Sequence, residues 1–144
     1  MSQERRRRAQ RIVEARQRKV DFAEAELATS SRRTIEAKDV AESATTAWKD
    51  RMQACPSSEC SSDDLALEHA YLSTLEKRAE RLAQIAREAK AVEEGARLKV
   101  CNAKTEHKKV ETWRDRWVEA SKLEEARIER IQSDEFTARL TRNT

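Results

Sequence analysis

Cys55-Pro56-Ser57-Ser58-Glu59-Cys60-Ser61-Ser62-Asp63-Asp64 decides how this chain folds. It contains the one proline of the 144 residues, and the one glycine lies elsewhere, at Gly95. Proline disfavours helix at the residue before it, so the first helix is expected to end near Ala54. Ser61 or Ser62 then offers an N-cap hydroxyl. Asp63 and Asp64 place carboxylates in the next first turn, where open amides and the helix dipole favour negative charge. The break therefore predicts helix 1 over about 3–54, a hinge over about 55–62 and helix 2 over about 62–140. At the rise of an α-helix these are roughly 75 and 115 Å long.

Apolar residues on both sides of the break recur at alternating three- and four-residue steps. In helix 1 one row reads Val13, Val20, Leu27, Thr34, Ala41, Trp48, and its companion reads Ala9, Arg16, Ala23, Ser30, Ala37, Ala44. In helix 2 one row reads Leu75, Leu82, Ala89, Ala96, Ala103, Val110, Trp117. The companion row there reads Leu65, Leu72, Ala79, Ala86, Glu93, Val100. A seam repeating every 3.5 residues closes only against another helix. A connection this short makes the two helices antiparallel neighbours. The expected fold is all-α: an antiparallel two-helix coiled-coil hairpin whose second helix is longer, spanning residues 1–144 as a single domain. Pairing large residues with small ones favours the register that sets Trp48 near Leu75, Ala41 near Leu82, Leu27 near Ala96 and Val20 near Ala103. The competing register sets Ala44 near Leu72, Leu27 near Ala89 and Val20 near Ala96. Exposed faces offer supporting pairs, among them Glu14 with Arg18, Glu93 with Arg97 and Glu111 with Arg114. Either register leaves an alanine-rich seam and a thin core.

Composition excludes most alternatives. Charged residues make up 40% of the chain and aromatics 4%. One glycine and one proline cannot supply the turns of a multi-strand sheet or of a compact multi-helix bundle. Net charge is +3, yet residues 1–20 carry eight basic groups against two acidic ones. Residues 21–64 carry five basic groups against ten acidic ones. The basic end is the part able to steer toward an acidic partner. No apolar run reaches membrane-spanning length, and the arginine-rich start lacks the apolar core of a signal peptide. Three cysteines form no disulfide framework, which points to a reducing cytoplasm.

No enzyme signature is present. There is no glycine-rich phosphate loop, and His69 and His107 lie far apart on one helix with no nucleophile gathered around them. Cys55, Cys60 and His69 cluster at the hinge, but zinc needs four ligands and the cluster has three. Cys101, beside Val100, reads as a small packing residue. No catalytic residue, metal or cofactor is expected. Arg5, Arg6, Arg7 and Arg8, with Arg11, Arg16, Arg18 and Lys19, are like the basic region that precedes a zipper. No asparagine for reading bases lies within residues 1–20, and helix 1 is committed to helix 2. Docking to an acidic protein surface is therefore preferred to nucleic-acid binding. Trp113 and Trp117 lie roughly opposite the arginines, where a guanidinium over an indole would be favourable, the alternative for each being seam packing. Trp48 and Tyr71 lie near the hinge and could anchor a partner. Past about residue 120, helix 2 overhangs helix 1, and its apolar Leu123, Ile128, Ile131, Phe136 and Leu140 suggest a partner surface.

Three short segments carry a resemblance. Tyr71-Leu72-Ser73-Thr74-Leu75-Glu76-Lys77 resembles the start of the second helix of flagellar FliJ, the stalk protein of the type III export ATPase. Asp134-Glu135-Phe136 looks like the matching end of that helix. Ala47-Trp48-Lys49-Asp50-Arg51 resembles the equivalent place in the injectisome relatives, the YscO or SctO family, and leans the reading toward an injectisome. The likeness covers most of the chain. It implies a non-enzymatic antiparallel coiled coil whose terminal end inserts into the pore of a hexameric type III export ATPase. Here that end holds Arg5, Arg6, Arg7, Arg8, Arg11, Ile128, Ile131, Asp134, Glu135 and Phe136. It also implies that the hinge-proximal part touches the cytoplasmic domain of the export-gate membrane protein. By position that surface falls on Ala41, Ala44, Trp48, Tyr71, Leu75, Arg78 and Leu82. The sequence departs from the family at two of these, with Arg78 in place of a small residue and Leu82 in place of a polar aromatic one. Some members handle secretion chaperones. The implied location is cytoplasmic, peripheral to the inner membrane at the base of the apparatus, without membrane insertion. The alternatives are a generic coiled-coil adaptor or secretion chaperone and, behind it, a nucleic-acid-binding helix protein.

Overall fold

A computed structural model describes residues 3–54 and 60–142. It contains two helices, α1 (Gln3–Gln53) and α2 (Ser62–Arg142), and no strand among the described residues. The fold is all-α, a two-helix hairpin with the longer helix second. Pro56 and Cys55, which carried the expected break, lie outside the described residues.

Local chemistry explains where α2 begins. Of the two candidate caps the structure selects Ser61, whose Oγ accepts the Asp64 amide at 3.2 Å. Asp64 Oδ2 returns the favour, accepting from the Ser61 amide at 3.2 Å and from its hydroxyl at 2.9 Å. This reciprocal box satisfies amides that the first helical turn leaves open. At the other boundary, the Ala54 amide still reaches the Asp50 carbonyl at 3.1 Å, so α1 closes one residue before the expected end.

The chain divides into two compact units. The first joins Met1–Phe22 to Cys101–Thr144. Its buried residues are Ala9, Val13 and Val20, which present one stripe of α1 to the partner helix. Arg114 Nη1 donates to Gln10 Oε1 across the pair at 3.2 Å, the pairing that places Val20 near Ala103. Arg6 approaches Glu125 at 3.6 Å. From residue 126 to residue 142 every residue of α2 is exposed. Ile128, Ile131 and Phe136 are therefore uncovered, at 44%, 47% and 66%.

The second unit is Ala23–Val100. Ala23, Ala41, Ala79, Ala96 and Val100 are buried. Each buried methyl contributes about 0.8 kcal/mol at most, so this seam is thin, as its composition predicts. Register is fixed by a polar contact: Thr34 Oγ1 lies 3.1 Å from the Ala89 carbonyl oxygen and 3.0 Å from that of Ser30 on its own helix. Thr34 precedes Ala41 by one heptad and Ala89 follows Leu82 by one, so this is the large-against-small pairing. Ser31 Oγ donates to Glu93 Oε1 at 3.2 Å on the same layer.

Several expectations are corrected. Leu65 is 49% exposed instead of lying in the seam. It precedes Glu68, whose partner Arg51 sits at the last turn of α1, so no α1 residue remains to cover it. Cys101 is exposed, because one step past Val100 rotates its side chain out of the seam. Of the three expected helix-face pairs, Arg97 reaches Glu93 at 2.7 Å. Glu14 instead accepts from Gln10 Nε2 at 3.2 Å, and Glu111 pairs with Lys108 at 3.3 Å.

Candidate functional site

Two surfaces gather the residues singled out in the sequence. The first lies in the Ala23–Val100 unit. An open cleft of about 320 Å³ is lined by Asp39, Val40, Ser43, Ala44, Ala47, Leu75 and Arg78. It brings together three of the expected gate-contact residues, Ala44, Leu75 and Arg78. Val40, 49% exposed, belongs to the cleft but was not expected there. Ala41 is buried in the seam. Leu82 and Trp48 are partly buried, on the seam rows.

Near the turn, Tyr71 is 51% exposed, and the Arg51 guanidinium sits 5.5 Å from its ring centre. Arg51 Nε and Nη2 both donate to Glu68, each at 2.6 Å, in a bidentate fork. The hydrogen bond from Arg51 holds the Glu68 carboxyl below the ordinary glutamate pKa, and the same bond raises the Arg51 pKa. The Tyr71 ring thus has a guanidinium over one face and half its surface in water. The sequence named Arg51 only as part of a motif and gave Glu68 no role. The signal was their placement on opposite sides of the break between the helices.

The second surface is the exposed end of α2 and the arginines of α1, within the other unit. Arg8 is tied to Glu4 at 2.7 Å and Arg6 approaches Glu125. Arg5, Arg7 and Arg11 are exposed. Ile128, Ile131, Asp134, Glu135 and Phe136 are all exposed on α2. Trp113 and Trp117, one turn apart, stack on each other with centroids 6.1 Å apart and planes 9° from parallel.

Against this geometry, the family model described as the flagellar FliJ protein matches residues 5–144, nearly the whole chain. The chain belongs to the FliJ family. No curated protein and no solved structure matches it. The FliJ family is one of structural stalk proteins, and membership suggests a stalk role in flagellar or type III export. The FliJ match takes in both surfaces. No helix of the described residues is long and apolar enough to cross a membrane. Cys60 and His69 are exposed, and Cys55 lies outside the described residues. Among the described residues no three His, Cys, Asp or Glu side chains are grouped to hold a metal.

Proposed function

We propose that this FliJ-family chain is the central stalk of a bacterial type III export apparatus, flagellar or injectisome. It enters the hexameric export ATPase by its terminal end and reaches the cytoplasmic domain of the export-gate membrane protein near its turn. The family match over residues 5–144 carries this reading. The chemistry supports it at both surfaces. The exposed end of α2 mixes Ile128, Ile131 and Phe136 with Asp134 and Glu135, a surface with too many charges to collapse on itself and enough apolar area to meet a partner. Tyr71 and the Ala44–Leu75–Arg78 cleft supply an aromatic anchor beside a small apolar recess, the usual makings of an interface centre. Work at the cytoplasmic side of the inner membrane, and contact with secretion chaperones, follow from the same role.

Purified chain added to its cognate ATPase is expected to raise ring assembly and hydrolysis with a defined stoichiometry. A flat response across stoichiometries, with no binding of the gate domain, would sink the proposal. Which system the chain serves is read from whether the flagellar or the injectisome ATPase responds. Trp48→Ala and Tyr71→Ala should weaken gate binding more than they lower thermal stability. Equal loss of both properties at Trp48 would return that indole to seam packing alone.

A further inference from the structure

The stacked indoles form the floor of an open groove of about 570 Å³, lined by Lys108, Lys109, Thr112, Trp113, Arg116 and Trp117. All six belong to α2 and to one compact unit. None belongs to the residues assigned above to the ATPase or the gate, so the groove stands independently of the export reading. Trp113 is 49% exposed, so part of the stack is open to water. A half-bare indole is an uncommon choice for a solvated helix face, where a charged residue would serve.

The charge around the groove selects the occupant. Three cations line it and no carboxylate does. Lys109 is paired with Glu106 at 2.8 Å and Lys108 with Glu111 at 3.3 Å. Arg116 makes no ion pair among the described residues. One guanidinium is thus available for a bidentate carboxylate, next to an apolar platform. Stacked aromatics among cations also suit single-stranded nucleic acid. Here, however, two of the three cations are already paired with Glu106 and Glu111, which leaves one guanidinium for one carboxylate and too little free positive charge to track a run of phosphates. We propose that this groove docks an acidic segment of a partner protein, with an apolar side chain against Trp113 and a carboxylate on Arg116.

The test uses the full chain labelled with 5-fluorotryptophan, whose three indoles give three fluorine resonances assigned by single Trp→Phe variants. The probe is a fluorescein-labelled synthetic helix with leucines on one face flanked by glutamates. Counterparts carry glutamine or lysine in place of glutamate, and oligothymidylate is the fourth probe. The expected result is binding of the glutamate peptide that moves the Trp113 and Trp117 lines and leaves Trp48 unmoved. Trp113→Ala should weaken binding by about tenfold or more, as for an interface anchor. Arg116→Glu should abolish the preference for glutamate over lysine, and Arg116→Lys should keep part of it, with circular dichroism unchanged in each variant. Equal binding of all three peptides, indifference to Arg116→Glu, movement of all three lines together, no binding, or tighter binding of oligothymidylate would each overturn the proposal.

Discussion

Gly95 shows how much a single backbone position can withhold. It sits inside α2 with a helical backbone, and a Cβ built there meets nothing within 4 Å. Glycine in a helix interior is less favourable than alanine by about 0.8–1 kcal/mol. Gly95→Ala should therefore stabilise the chain by about that amount in urea titration, with no change in slope. Glu93 is a second instructive residue. Its side chain is 12% exposed in a seam position, where a heptad wants an apolar residue. The Arg97 hydrogen bond is the main reason its pKa lies below the ordinary glutamate value, with Thr34 and Ser31 assisting. Glu68, held by Arg51, is shifted the same way. A depressed folded-state pKa contributes stability that is fully present above the unfolded value, near 4.3 for glutamate, and is lost as pH falls through the lower folded value. The midpoint of thermal unfolding should thus fall on acidification below about pH 4.3, and Glu93→Gln should flatten that fall. An unchanged acid profile in Glu93→Gln would assign the dependence elsewhere.

The helices themselves were legible because their signals are periodic and repeated. Every buried residue among those described, from Ala9 to Val100, falls on one of the four rows drawn from spacing alone. Even the register followed from matching large residues to small ones. What the rows could not supply was everything that depends on where the partner helix stops or on rotation by one residue. Leu65 lost its cover because α1 ends at Gln53, and Cys101 turned outward although its neighbour is buried. Individual ion pairs were equally hard to foresee, since Glu111 has both Lys108 and Arg114 within reach along the helix and the side chains choose between them. The start of α2 offers a clean test at this scale. Ser61→Ala removes the oxygen that accepts the Asp64 amide, and loss of such a cap costs about 1 kcal/mol. Ser61→Asp should retain most of that stability, because a carboxylate there still accepts the amide. Equal loss in both variants would mean that the cap does not set the boundary.

For the molecule as a whole, composition settled the fold class and the family match settled the kinship, but the candidate surfaces were only half legible. Tyr71 and the exposed apolar residues of α2 were visible as types out of place on a charged helix. The Arg51–Glu68 fork, the place of Val40 in the cleft and the stacking of Trp113 on Trp117 require knowledge of which side chains meet in space. Uneven burial should appear in dynamics. Amide exchange is expected to be slowest beside the buried stretch from Ala79 to Val100 and fastest over residues 126–142, where nothing is covered. Uniform protection along α2 in the isolated chain would contradict the exposure described above.

The Thr34–Ala89 and Ser31–Glu93 contacts have a consequence for alignment. An alanine stripe offers nearly the same methyl group every seven residues, so sliding one helix past the other by a heptad forfeits little apolar burial. Size matching at Leu27, Trp48, Leu75 and Leu82 tilts the choice of frame, but the alanine layers between them contribute little to it. Two hydroxyls and a carboxylate reinforce the choice, much as a detent holds a slider that friction alone would not.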